Sequence, residues 1–241
     1  MEPVIEIVDL RKVYGHVIAV DAVSLTVARG EVFGVLGPNG AGKTTTVECA
    51  AGLRRPDGGT VCVLGLDPAR DPAAVRRRVG VQLQQAALPD RMRVSEAMAV
   101  FAAAYGRAGA VPRLLADWGL DGQRRAAFAS LSGGQRQRLF IALALLGDPE
   151  VVVLDEVTTG LDPAARRDTW VLIRRLRDEG KTVILVTHAM DEAEALCDRL
   201  AVIVGGRVAA TGTPAQVYRR APLLGRRLPR HHRPFPAGGL T

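Results

Sequence analysis

Two periodicities divide the chain. Apolar and polar residues alternate through Val4-Ile5-Glu6-Ile7-Val8-Asp9-Leu10 and again through Ala22-Val23-Ser24-Leu25-Thr26-Val27, which predicts two half-exposed strands before a turn at Arg29-Gly30. Near-continuous apolar runs at 31–36, 150–156 and 181–188 have the pattern of parallel strands covered on both faces. Shorter strands are predicted at Thr60–Leu64, after the turn Arg55-Pro56-Asp57-Gly58-Gly59, and at Val79–Gln84. Helical spacing takes over at Thr46–Ala51, Pro163–Asp178 and Asp191–Cys197, and Leu200–Val204 with Arg207–Ala210 reads as a hairpin around Gly205-Gly206. From Ser95 to Gly147 the text is alanine-rich and helical, with caps or stops at Ser95, Gly106, Gly119 and Gly122. Strand and helix alternate elsewhere, so the fold class is α/β with this block as a helical insert.

One loop carries the first chemistry. Gly37-Pro38-Asn39-Gly40-Ala41-Gly42-Lys43-Thr44-Thr45 fits G-x-x-x-x-G-K-[ST] and lies between an apolar strand and an apolar-periodic helix, the context the motif requires. Glycines at 37, 40 and 42 let backbone N–H groups turn inward to form an anion nest at the positive end of the following helix. Phosphate is the matching guest. Lys43 then reaches the terminal phosphates as a point charge, and Thr44 offers its hydroxyl to a magnesium ion shared with them. Tyr14, upstream of this loop, could stack on a purine ring, although a tyrosine taken alone is more often packed and half-buried.

Composition narrows the setting. The 241 residues suffice for one large core or two lobes sharing a core, and an apolar fraction of 48% excludes wholesale disorder. No run of eighteen apolar residues exists; the longest candidate, Leu139 to Gly147, is too short to span a bilayer. The chain opens without a basic and apolar leader, so a soluble or peripheral protein is expected. Cys49, Cys62 and Cys197 are odd in number and scattered, and are expected as small core residues in a reducing compartment. The net charge of +7 would suit nucleic acid, but after Arg199 there is no acidic residue and Arg207, Arg219, Arg220, Arg226, Arg227, Arg230 and Arg233 supply the whole excess. The basic character therefore belongs to the last segment and assigns no nucleic-acid partner to the core. The part from residue 221 holds four prolines, four arginines and His231-His232, and is expected as a disordered tail.

Two further stretches complete the chemistry. The run Val151-Val152-Val153-Leu154 ends in Asp155-Glu156, and neighbouring residues at a strand end point to opposite sides. Asp155 is assigned to the metal and Glu156 to the attacking water as general base or polariser. Leu131-Ser132-Gly133-Gly134-Gln135 precedes an arginine-rich amphipathic helix, which makes a second anion site of the same physical kind. One nucleotide on one chain hardly needs two.

The phosphate loop, the Leu131–Gln135 stretch, the strand ending in Asp155-Glu156 and the lone histidine of Val186-Thr187-His188 together resemble the nucleotide-binding subunits of ATP-binding cassette (ABC) transporters, over about residues 4–218. The resemblance implies a P-loop NTPase: a RecA-like core with an N-terminal antiparallel β subdomain and an α-helical subdomain at about 90–147, within a domain of residues 1–220. It implies a homodimer or paired cassette that sandwiches ATP, with Lys43 of one subunit and Leu131, Ser132, Gly133, Gly134 and Gln135 of the other on the same nucleotide. Tyr14 matches the family's adenine-stacking aromatic. Gln84 matches the glutamine that contacts magnesium and the reacting water, Asp162 the aspartate that communicates across the dimer, and His188 the residue that contacts the γ-phosphate. The partner implied is an integral membrane permease, with the cassette held peripherally at the cytoplasmic face of the cell membrane. Among family members the text is most similar to bacterial daunorubicin-type drug-resistance exporters, especially in Thr158–Pro163 and Thr187–Glu194. Val157 and Leu83 stand where the family usually has proline, and the 48 positions from Gln84 to Ser132 are fewer than usual. The competing readings are a soluble cassette working on ribosomes or DNA, and a non-hydrolysing regulatory cassette.

Overall fold

The computed structural model describes residues 3–84 and 86–220; the arginine- and proline-rich tail lies outside them. Two long strands, β1 (Pro3–Tyr14) and β2 (Val17–Ala28), pair antiparallel, and β4 (Gly58–Val63) adds to the other edge of β1. Both strands run further than the alternation indicates, because the register slips where Asp9 and Ala22 take positive φ and the alternation breaks while the pairing continues. Tyr14 therefore sits at the end of β1, not in a loop.

Beneath this sheet lies a second of six strands in the order β5-β6-β7-β3-β8-β9. β3 (Val32–Leu36), β5 (Val79–Gln82), β6 (Val151–Asp155), β7 (Thr182–Thr187) and β8 (Arg199–Val204) are parallel, and β9 (Arg207–Gly212) closes the edge antiparallel. Its central strands are buried throughout and their side chains part to two cores. Val151, Val153, Ile184 and Val186 pack toward the antiparallel sheet and α1 (Lys43–Ala50), whereas Val152, Leu154, Val183 and Leu185 pack toward the helices on the other face.

Those helices are α3 (Val94–Tyr105), α4 (Val111–Asp117), α5 (Gly133–Leu145), α6 (Pro163–Asp178) and α7 (Met190–Leu196); α2 (Pro72–Arg78) leads into β5, and α8 (Pro214–Arg220) follows β9. The alanine-rich block is not continuous helix: 3-10 turns at Ala108–Ala110, Asp121–Gln123 and Phe128–Ser130 break it. Gly106 ends α3 with φ 64°, as expected, but Ser95 is not its cap. Residue 93 takes that position, and the Glu96 carboxylate reaches back to its N–H at 2.8 Å. Gly122 lies inside a 3-10 turn and stops no helix. Cys49 and Cys197 are core residues, but Cys62 is exposed, because β4 turns Val61 and Val63 inward. No helix among the described residues is long and apolar enough to cross a membrane.

Candidate active site

The site lies at the C-terminal ends of β3, β6 and β7, where parallel α/β sheets open a crevice. The phosphate loop leaves β3 at Leu36, and α1 starts at Lys43 itself, three residues before the sequence pattern turns helical. Two of its glycines are required by close backbone approach at positive φ. A Cβ on Gly37 (φ 154°) would fall 2.1 Å from the Ile203 carbonyl oxygen, and one on Gly42 (φ 96°) 2.3 Å from that of Ala19. The loop is braced from outside as well, by the hydrogen bond from Gly206 N–H to the Ala41 carbonyl at 3.1 Å.

Lys43 is 5% exposed and its ammonium donates to the carbonyls of Gly37 at 2.9 Å and Pro38 at 3.1 Å, so it lies across the mouth of the loop. Burial pushes its pKa below the ordinary lysine value, against the pull of the Glu156 and Asp155 carboxylates. Asn39 and Gly40 form the exposed rim beside the half-buried Pro38, and Thr44 and Thr45 open the first turn of α1.

Asp155 and Glu156 diverge as expected. Asp155 is fully buried; its Oδ2 accepts the Thr44 hydroxyl at 2.8 Å and its Oδ1 has no partner. Burial raises its pKa, Thr44 opposes that rise, and Glu156 adds to it. A hydroxyl and a buried carboxylate with an idle oxygen are hard donors that suit magnesium, whose remaining oxygens would come from phosphate and water. Glu156 has φ 51°, a conformation that costs a non-glycine residue about 1–3 kcal/mol and persists only where the surroundings fix it. Its Oε2 accepts from Gln84 Nε2 at 2.7 Å and the Thr159 hydroxyl at 3.5 Å, its Oε1 lies 3.2 Å from His188 Nδ1, and Lys43 Nζ is 4.0 Å away. Gln84 can reach because β5 stops at Gln82, two residues earlier than its apolar pattern, where its pairing with Leu154 ends. Val157, in the place of the usual proline, is buried in the helical-side core.

Tyr14 is 40% exposed, with Lys12 Nζ and the Arg54 guanidinium each 5.5 Å from its ring centroid. The segment is pinned by Asp57, whose carboxylate accepts from Val13 N–H at 2.7 Å and Lys12 Nζ at 3.0 Å and is held below the usual carboxylate range by these bonds. Asp57 had been legible only as a turn residue. Arg54 is itself anchored by an ion pair with Glu48.

The segment expected as a second anion site is a capped helix start and stands apart. Ser132 caps α5: its hydroxyl accepts from Gln135 N–H at 3.2 Å while the Gln135 side chain accepts from Ser132 N–H at 2.9 Å. Leu131 is buried beneath, and a Cβ on Gly133 or Gly134 would meet Leu161 at 3.6 Å or Ala165 at 3.2 Å. Asp162 caps α6, accepting from Ala164 and Ala165 N–H at 2.9 and 3.0 Å, which holds its carboxyl below the ordinary range. Among the described residues no hydrogen bond or ion pair joins 131–135 or Asp162 to the phosphate loop of the same chain.

The ABC transporter family pattern matches residues 20–159, from the hairpin strand β2 through the loop after Glu156. The chain is an ABC-family ATP-binding cassette. It is 45% identical over 219 residues to the Nod factor export ATP-binding protein I of Paraburkholderia xenovorans, covering 89% of this chain and 72% of that protein. It is 43% identical over 218 residues to the daunorubicin/doxorubicin resistance ATP-binding protein DrrA of Streptomyces peucetius, covering 88% and 66%. Among solved structures, an ATP-binding subunit of an ABC transporter superposes with TM-score 0.81 at 30% identity over 93% of this chain and 96% of that one. A dimeric cassette in a post-hydrolysis state with ADP and Pi superposes with TM-score 0.79 at 25% identity over 87% and 98%. This cassette is therefore a nucleotide-binding ATPase subunit of the ABC transporter class.

Proposed function

We propose that the cassette dimerises head to tail, hydrolyses ATP between its phosphate loop and the Ser132–Gln135 segment of a second cassette, and drives export through a separate permease at the cytoplasmic face of the membrane. The observation that carries the catalytic part is the environment of Glu156: a covered carboxylate held by Gln84, His188 and Thr159 beside Lys43, one residue from the Thr44–Asp155 pair. The dimer is supported by the separation of the two anion sites within one chain and by the dimeric architecture named for a cassette of the same fold. Export is supported by the relatives named for Nod factor export and drug resistance, and a drug-like or lipophilic cargo is the reading closest to them.

The chemistry follows from the residues present. The free backbone N–H groups of the loop and the N-terminus of α1 bind the phosphates, and Lys43 exchanges the Gly37 and Pro38 carbonyls for phosphate oxygens. Tyr14 stacks on the adenine. Thr44, Asp155 and Gln84 would hold magnesium, which supplies charge neutralisation on the phosphates when bound. Glu156 accepts the proton of the water that attacks the γ-phosphorus in line; the new P–O bond forms as the bond to the β–γ bridging oxygen breaks, giving ADP and phosphate. His188 orients Glu156 through Nδ1 and faces the γ-phosphate. Glu156→Gln tests this directly: ATP binding within a few-fold of wild type with hydrolysis lost supports the assignment, and an unchanged rate overturns it; wild-type protein with no hydrolysis above background would restore the non-hydrolysing reading.

A further inference from the structure

Glu192 is 1% exposed, in the first turn of α7, and no role in the chemistry above falls to it. A carboxylate this deep needs donors, and it has two on one oxygen: the Thr158 hydroxyl at 2.7 Å and the Trp170 indole N–H at 3.0 Å. Each belongs to a different part of the site. Thr158 is two residues beyond Glu156, in the loop that leads to Asp162. Trp170 is on α6, the helix that Asp162 caps, and α7 itself starts two residues after His188. One carboxylate thus ties together the segments carrying Glu156, Asp162 and His188.

Its surroundings reinforce the tie between the two helices. The Arg166 guanidinium stacks over the Trp170 ring at 4.8 Å and pairs with Asp191 at 2.8 Å, and Arg174 donates to the Ala195 carbonyl at 3.0 Å. Residues 166, 170 and 174 recur at intervals of four, so α6 presents one continuous face to α7. Thr158 is the side chain through which this helix pair holds the Glu156 loop. The positive φ of Glu156 must be fixed from outside, and the loop beyond it is fixed here.

We propose that Glu192 is a positioning residue for hydrolysis: through Thr158 and Trp170 it sets Glu156 and His188 against the Asp162 cap, so that the water-facing carboxylate and the segment that meets the second cassette move together. The proposal rests on the ATPase reading above. It predicts that Thr158→Val, which removes the donor at nearly constant volume, lowers kcat about tenfold while the Kd for ATP stays within twofold, since no phosphate-loop atom is touched. Glu192→Met, with similar volume and no acceptor oxygen, should do the same, whereas Glu192→Gln keeps an oxygen and should recover most of the rate. The Thr158→Val/Glu192→Met double variant should be no slower than Glu192→Met alone, because that change already cuts the Thr158 bond together with the Trp170 one. Steady-state kinetics, ATP binding and thermal melts of these four proteins, with Glu156→Gln as control, decide it. A kcat within twofold of wild type for Thr158→Val, or losses that multiply in the double variant, would overturn the proposal. If Glu156→Gln hydrolyses at the wild-type rate, it is the underlying assignment of Glu156 that fails.

Discussion

Asp155→Asn should make the nucleotide-free cassette more stable while destroying its function. In the wild type a fully buried carboxylate has one donor, Thr44, and one oxygen with no partner, and Glu156 is the neighbouring charge in sequence. An asparagine oxygen keeps the Thr44 bond, and the change exchanges an unsatisfied buried charge for an unsatisfied neutral amide, a difference of about 1–3 kcal/mol. At roughly 2–4 °C per kcal/mol for a chain of this size, melting without nucleotide or metal should rise by about 2–12 °C. The sign with pH is fixed by the raised pKa. The folded state binds the Asp155 proton more tightly than the unfolded one, so the stability that proton contributes is present at low pH and lost as pH rises through the folded pKa. The advantage of the variant should therefore be greatest near neutrality and shrink on acidification. Ligand linkage should run the other way: magnesium and ATP at about a hundred times Kd stabilise the wild type by about 2.7 kcal/mol, and this gain should largely vanish in the variant. Scanning fluorimetry across pH, with and without magnesium and ATP, reads both effects. A variant less stable than wild type without ligand, or one that keeps the full ligand shift, would refute the placement of Asp155 as a metal-facing group.

Lys43→Ala removes the ammonium that bonds the Gly37 and Pro38 carbonyls and should weaken ATP binding about 10- to 100-fold by calorimetry, with hydrolysis at background. Ser132→Arg replaces an exposed cap with a bulky cation; in the shared-site arrangement it should abolish ATP-dependent dimerisation by light scattering yet leave ATP binding to the monomer unchanged. Wild-type hydrolysis by that variant would contradict the shared site. Asp57→Ala frees the Val13 N–H and Lys12 that pin Tyr14 and should raise the Kd for ATP about two- to tenfold with little change in kcat, a split that separates adenine positioning from chemistry.

Much of this was legible because the site is made of backbone motifs. The phosphate loop, the Asp155-Glu156 strand end and the Ser132 cap each tie a residue type to a local conformation, so their geometry can be read without the fold. What escaped depends on register or long range. The bulges at Asp9 and Ala22 hid the full length of β1 and β2, and with it the position of Tyr14. The strand β5 ends early because its pairing with β6 stops at Leu154, one residue before β6 itself ends, a long-range fact that the glutamines do not carry. Asp57, Thr158 and Trp170 act across 44, 34 and 22 positions of sequence respectively, where no spacing rule applies. Helix α8 had a readable signal that the apolar pattern alone did not use: Thr213 and Gln216 cap each other across Pro214, at 2.9 and 3.3 Å.

The central claim is that this cassette powers a membrane permease, and the most direct measurement is capture from native membranes with tagged Glu156→Gln protein held closed by ATP, followed by mass spectrometry. The account predicts a multi-span membrane protein in near-stoichiometric amount, lost when Ser132→Arg is added. Ribosomal or DNA-associated partners with no such membrane protein would contradict it.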